Sequence, residues 1–101
     1  MERSAGITEL RAGDASVTID LLAGGRIAQI EVSGQPLLWA GPAPAIGWGS
    51  YPMAPWVGRI RNGRFDVDGT SYQLALNHID DDGSQHAIHG TVFDTPWRLD
   101  R

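Results

Sequence analysis

A chain of 101 residues, 42% hydrophobic and 20% charged, has the size and balance of one small globular domain with one modest core. Twelve acids against eight bases give a net charge of −4, every base is arginine and cysteine is absent. These numbers argue against a polyanionic partner such as nucleic acid, and they exclude a Schiff-base lysine, a thiol nucleophile and a disulfide frame. No run approaches the roughly 20 apolar residues of a membrane span. The start, Met1 to Leu10, lacks the basic-then-apolar order of a secretory signal. The expected compartment is therefore the cytoplasm, with no membrane partner.

In chain order, Val17, Ile19 and Leu21 alternate, Ala23-Gly24-Gly25 breaks the run, and Ile27, Ile30 and Val32 follow. This predicts an antiparallel hairpin, and the lapse of strict alternation between Ile27 and Ile30 predicts a bulge in its second strand. Ser33-Gly34-Gln35-Pro36 is turn chemistry, after which Leu37-Leu38-Trp39 reads as a short third strand.

Residues 40–58 carry Gly41, Pro42, Pro44, Gly47, Gly49, Pro52, Pro55 and Gly58, which break ladders and helices alike, so this is a long irregular loop. Loops of that length in small domains commonly bind something. Trp48, Tyr51 and Trp56 sit in it, either as walls of a binding site or as plugs closing the end of a sandwich. Beyond it, Arg64–Val67 and Tyr72–Leu76 alternate around Asp68-Gly69, a strong hairpin signal, with Phe65, Val67, Tyr72, Leu74 and Leu76 on one face. Asp80-Asp81-Asp82-Gly83 is a polar turn, and Trp97–Arg101 alternates as a strand does. No window has helical periodicity and no repeat is visible. The expected fold is all-β, an antiparallel sandwich forming a single incomplete segment over 1–101 with no second domain. A last strand without a covering element leaves an edge open to self-association.

Two segments carry candidate chemistry. Arg59 stands where the loop becomes a strand, with a planar fork suited either to adjacent hydroxyls or to an ion pair with one of Asp80 to Asp82. His89, in Ala87-Ile88-His89-Gly90, is placed either to donate to a ligand oxygen or exchange a proton near neutral pH, or to bond a backbone carbonyl in a turn. His86 and His89 have a metal-like spacing, but in extended chain they face opposite ways and no firm third ligand accompanies them, so no metal is expected. His78 reads as ordinary surface. The glutamates, Glu2, Glu9 and Glu31, all lie far from these segments in sequence.

Pro55 to Phe65 resembles the Pro-Phe-x-Asn-Arg-Ile-x-x-Gly-x-Phe segment of the aldose 1-epimerase (galactose mutarotase) family, and Asn77 through Ile88-His89-Gly90 to Trp97 resembles its Asn…Leu-His-Gly-Gly…Trp segment. The hairpin over Val17–Val32 resembles the family's early hairpin, so the likeness covers the N-terminal part of a larger mutarotase-type sandwich. It implies an isomerase of carbohydrate metabolism that interconverts the α and β anomers of an aldohexose by acid/base ring opening, without a cofactor. It also implies that Arg59, His89, Trp56 and Gly58 line the sugar, that His89 assists as a donor, and that the glutamate base and a second histidine lie beyond Arg101. Gly58 stands where many members have asparagine, and Thr91 replaces a second glycine, which leaves the sugar open, phosphorylated sugars included. Two other expectations stand beside this one: a non-catalytic carbohydrate-binding module, and a structural fragment that pairs through exposed strand edges.

Overall fold

The computed structural model describes residues 6–100; Glu2 and Arg101 lie outside them. The described chain is all-β, with antiparallel sheets and two single-turn 3-10 segments, the fold class that the alternation predicts. None of its helical segments is long and apolar enough to cross a membrane. It divides into two compact units, one reaching up to Pro52 and resuming at Val92, the other Met53–Thr91.

The first unit is a four-stranded meander of β1 (Ile7–Ala12), β2 (Ala15–Asp20), β3 (Arg26–Val32) and β4 (Gln35–Pro36). Strand β1, whose apolar residues are sparse, has too faint an alternation to stand out in the sequence. The β2–β3 hairpin forms as expected, and so does its bulge: Thr18 faces Gln29 while Ile19 faces Ile27, which leaves Ala28 as the extra residue. The first strand stops at Asp20, one residue before Leu21. There the Asp20 carboxylate accepts from Leu22 N at 3.1 Å and starts a 3-10 turn over Leu21–Ala23 that ends on Gly24 at φ 78°. A Cβ on Gly24 would lie 1.9 Å from the Phe93 carbonyl oxygen, so only glycine lets these backbones meet.

Two expected strands are not strands. The short one is Gln35–Pro36 rather than Leu37–Trp39: Leu37 N still donates to Ile30 O at 2.9 Å, but at Leu38 the Gln29 side chain stands in for a neighbouring backbone, its Oε1 accepting from Leu38 N at 2.8 Å and its Nε2 donating to Leu38 O at 2.9 Å. The segment Trp97–Asp100 is irregular. Trp97 instead folds back, donating from its backbone N to Leu21 O at 2.6 Å and from its indole to Val92 O at 3.0 Å. Residues 40–58 are irregular as expected, apart from one 3-10 turn at Ala45–Gly47 and two isolated bridges.

At the centre of the first unit lies Arg26, 1% exposed. Its Nε donates to Ala23 O, its Nη1 to Ala45 O and Trp48 O, and its Nη2 to Phe93 O, all within 3.0 Å. The guanidinium also lies over the rings of Trp48 and Tyr51, 4.2 and 4.6 Å from their centroids. The carbonyls and ring faces stand in for water, although burial still pulls the Arg26 pKa down and pushes the Tyr51 pKa up. The Tyr51 ring in turn packs at 5.4 Å on Phe93, which is 2% exposed. Trp48 and Tyr51 thus close around a cation of their own unit.

The second unit holds a three-stranded sheet in which β9 (Gln85–Ile88) lies between β5 (Arg59–Arg61) and β8 (His78–Ile79), together with the hairpin β6 (Arg64–Val67) and β7 (Thr70–Gln73). Asp68 and Gly69 both have positive φ, at 50° and 79°, the requirement of the tight hairpin turn that Asp-Gly signals. Phe65 and Tyr72 face each other across the ladder and stack at 5.3 Å. Strand β7 begins at Thr70 and ends at Gln73, so Leu74 and Leu76 fall outside it. Burial in this unit concentrates in β9, where Ala87 and Ile88 are 0% and 2% exposed.

Candidate functional site

Strand β9 is the axis of the site. Arg59 faces Ile88 across the β5–β9 ladder, and His78 faces His86 across β8–β9. Beyond β8 the ladder is continued by a side chain: Asn77 Oδ1 accepts from Ile88 N at 2.7 Å and its Nδ2 donates to Ile88 O at 3.0 Å. The residue preceding His89 is therefore fixed on both sides. His89 then leaves the strand at φ 60°, a conformation that non-glycine residues adopt only under constraint. Gly90 follows at φ 81°, and a Cβ on it would lie 1.9 Å from Ala54 O, which accepts from Thr91 N at 2.8 Å.

These constraints bring His89 to Gly58. The His89 backbone N donates to Gly58 O at 3.0 Å, and Gly58 N donates to His89 Nδ1 at 3.1 Å. A ring nitrogen that accepts a backbone N–H carries no proton, so the neutral imidazole of His89 holds its hydrogen on Nε2. Burial, then the positive charges of Arg59 and His78, lower the His89 pKa and favour that neutral form. The ring thus accepts a backbone N–H through Nδ1. Trp56 is placed by its indole, which donates to Ala87 O at 3.3 Å. Gly58, Trp56 and His89 are thereby held along β9 towards its Ile88 end, where the backbone of Arg59 also lies.

Arg59 has the carboxylate partner that its sequence allowed. Its Nε lies 3.1 and 3.0 Å from the two Asp80 oxygens and its Nη2 lies 2.7 Å from Oδ1, with Arg59 half-exposed. The paired hydrogen bonds and charges raise the Arg59 pKa, and the same bonds to Arg59 hold Asp80 below the usual carboxylate range. On its other side Asp80 meets His78 Nε2 at 2.9 Å and His86 Nε2 at 3.2 Å. His78 is therefore part of this cluster and not ordinary surface, because the β8–β9 turn folds Asp80 back over it. His86 Nδ1 accepts from Asn62 N at 3.2 Å, so in its neutral form the ring donates from Nε2, towards Asp80 and towards Ser84 Oγ at 3.0 Å. Asp82, lowered chiefly by its bonds from Ser84, completes the turn.

His78 gave no functional signal in the sequence, Asn77 entered only as part of the family-like segment, and His86 only through its metal-like spacing with His89. The one available clue was the Asp80–Gly83 turn, which in an antiparallel pairing sets His78 opposite His86. Among the described residues no group of three or more histidine and carboxylate side chains is arranged to hold a metal ion. The arrangement offers instead a charged guanidinium fork, a neutral imidazole donor, an indole and a bare glycine backbone, a set suited to a neutral hydroxylated ligand. No curated protein and no solved structure matches the chain. The family model for aldose 1-epimerase matches residues 7–101, and the chain belongs to the aldose 1-epimerase family.

Proposed function

We propose that this chain carries the sugar-contacting part of an aldose 1-epimerase, a protein that interconverts the α and β anomers of an aldohexose by opening and reclosing the ring. The observation that supports it is that Arg59 faces Ile88 across the β5–β9 ladder while His89 follows Ile88 directly and is oriented by Gly58. In this reading Arg59 binds adjacent hydroxyls, which it can do at any physiological pH because it never loses its charge. His89 donates from Nε2 to a sugar oxygen and polarises the C1–O5 region without itself being an imidazolium. Trp56 offers an apolar ring to a sugar face, and the absence of a side chain at Gly58 lets the ligand approach the backbone.

Ring opening removes the proton of the anomeric hydroxyl and delivers one to the ring oxygen. No glutamate falls between residues 53 and 91, and Asp80 is held ionised and weakly basic by Arg59. We therefore assign binding and hydrogen-bond donation to these residues and do not assign them the base.

Saturation-transfer NMR of the chain with equilibrated D-glucose and D-galactose tests this reading. Transfer to the C1 and C5 protons of both anomers, lost in Arg59→Ala, is expected, because an epimerase site holds the reacting end and accepts either anomer. Transfer confined to one anomer, or to the C3–C4 edge, would favour the non-catalytic binding module. No saturable binding would overturn the sugar site altogether. Acceleration of mutarotation by orders of magnitude, abolished by an aspartate substitution, would overturn the division of labour.

A further inference from the structure

We propose that Asp80 is a positioning and charge-compensating residue for Arg59, which makes the site select neutral sugars over phosphorylated and acidic ones. The proposal rests on the sugar-site reading and names the substrate class of that site. A guanidinium has five N–H donors in a fixed plane. Asp80 engages the edge formed by Nε and Nη2. The end of the plane, with both Nη1 hydrogens and the outer Nη2 hydrogen, makes no hydrogen bond among the described residues.

That free end fits two adjacent hydroxyls and fits a phosphate equally well in shape, so charge decides between them. Alone, Arg59 would favour the anion. Paired with Asp80 it is neutralised, and the turn that carries Asp80 adds two more carboxylates, Asp81 and Asp82, against one guanidinium. His86 Nε2 lies 3.2 Å from one Asp80 oxygen and His78 Nε2 lies 2.9 Å from the other. Arg61, which points outward with Arg59 on β5, is the remaining cation of that strand, and no ion pair among the described residues holds it to this turn. A phosphate dianion entering here meets an excess of negative charge, whereas a neutral polyol meets three aimed donors. Asp80 accomplishes this without touching the ligand. It fixes the plane of Arg59 and is itself fixed by two histidines from neighbouring strands, which is what supports a lasting orientation rather than a transient surface pair.

The test is an NMR titration of the 15N-labelled chain that follows the Arg59 Nε–H signal in the native protein, in Asp80→Asn and in Asp80→Glu. The probes are D-glucose, D-glucose 6-phosphate and inorganic phosphate. In the native chain glucose shifts the signal and inorganic phosphate does not. In Asp80→Asn the affinity for glucose 6-phosphate relative to glucose rises about tenfold, and inorganic phosphate now shifts Arg59. Asp80→Glu keeps the native order, which a purely structural role for Asp80 does not predict. A native chain whose Arg59 signal moves with inorganic phosphate overturns the proposal, whether or not the variants fold. So does a folded Asp80→Asn that keeps the native preference. If glucose moves Arg59 in no protein while phosphate moves it only in Asp80→Asn, the charge role of Asp80 stands and the sugar reading falls.

Discussion

Arg26 and Arg59 are the same side chain put to opposite uses in the two units. Arg26 is buried, four carbonyls accept from it, two aromatic rings cover its faces, and no carboxylate among the described residues forms an ion pair with it. Arg59 is half-exposed, has one edge held by Asp80 and leaves the other end open. On the proposed reading, the difference teaches how to tell a structural cation from a binding one: four donors taken up by backbone carbonyls mark the first, and partial, oriented occupation marks the second. In both cases the backbone around the cation came first. Arg26 sits where the 3-10 turn and the loop point their carbonyl groups, and Arg59 where a strand start faces a turn of aspartates.

The sharpest way to break this contrast is to truncate both arginines. Arg26→Met takes the donor from four carbonyls, that of Phe93 buried and the others part-buried, and should cost about 3 kcal/mol or more in urea denaturation, a large share of a small domain's stability. Arg59→Met should leave the urea midpoint unchanged within error and abolish sugar binding. Equal losses would erase the distinction.

Glycines give a second, smaller contrast. Gly90→Ala forces a Cβ into Ala54 O and should cost about 2 kcal/mol or more, while Gly58→Ala meets no atom within 4 Å and pays only for its φ of 85°, about 1 kcal/mol. Because Gly58 also donates to His89, its variant should change the His89 ring 15N shifts; unchanged shifts would remove Gly58 from the site. Acid unfolding sharpens the comparison within the second unit. The His89 pKa is lowered on folding, so the unfolded chain binds more protons there, and the stability this group contributes is present above its ordinary value of about 6.5 and lost as pH falls below it. Asp80 and Asp82, also lowered, add a loss only as pH falls below their ordinary value near 3.8. His89→Gln should flatten the first phase and leave the second, and an unchanged slope between pH 5 and 7 would contradict the assignment. The smallest effect is expected at the exposed Phe65–Tyr72 pair, where Tyr72→Ala should cost roughly 0.5–1 kcal/mol in thermal melts.

Much of this was legible in the sequence wherever a local rule decides the outcome. Asp68-Gly69 dictated its hairpin, the lapse between Ile27 and Ile30 marked the Ala28 bulge, and the proline and glycine content of residues 40–58 forbade regular structure. The missed features all depend on partners distant in sequence. Leu37–Trp39 has the look of a strand, but from Leu38 on the Gln29 amide stands in for a backbone partner, and Trp97 has the look of a strand start, but Leu21 and Val92 draw it back. Arg26 carried no signal, because nothing nearby in the chain announces that the carbonyls of Ala45, Trp48 and Phe93 will meet it. At the candidate site, Arg59 and His89 are singled out by motif resemblance, and Asp80 is one of three ion-pair candidates. The roles of Asn77, His78 and His86 follow from register across β8 and β9, which composition does not encode.

The central claim is that Arg59 and His89 act on one sugar together, and simultaneous observation of both side chains tests it most directly. In a D-galactose titration of the 15N-labelled chain, the Arg59 Nε–H and His89 Nε2–H signals should shift along one saturation curve, and Arg59→Ala should abolish the His89 response. Shifts confined to Trp48 and Tyr51, or an imidazole signal that ignores sugar while Arg59 responds, would contradict it.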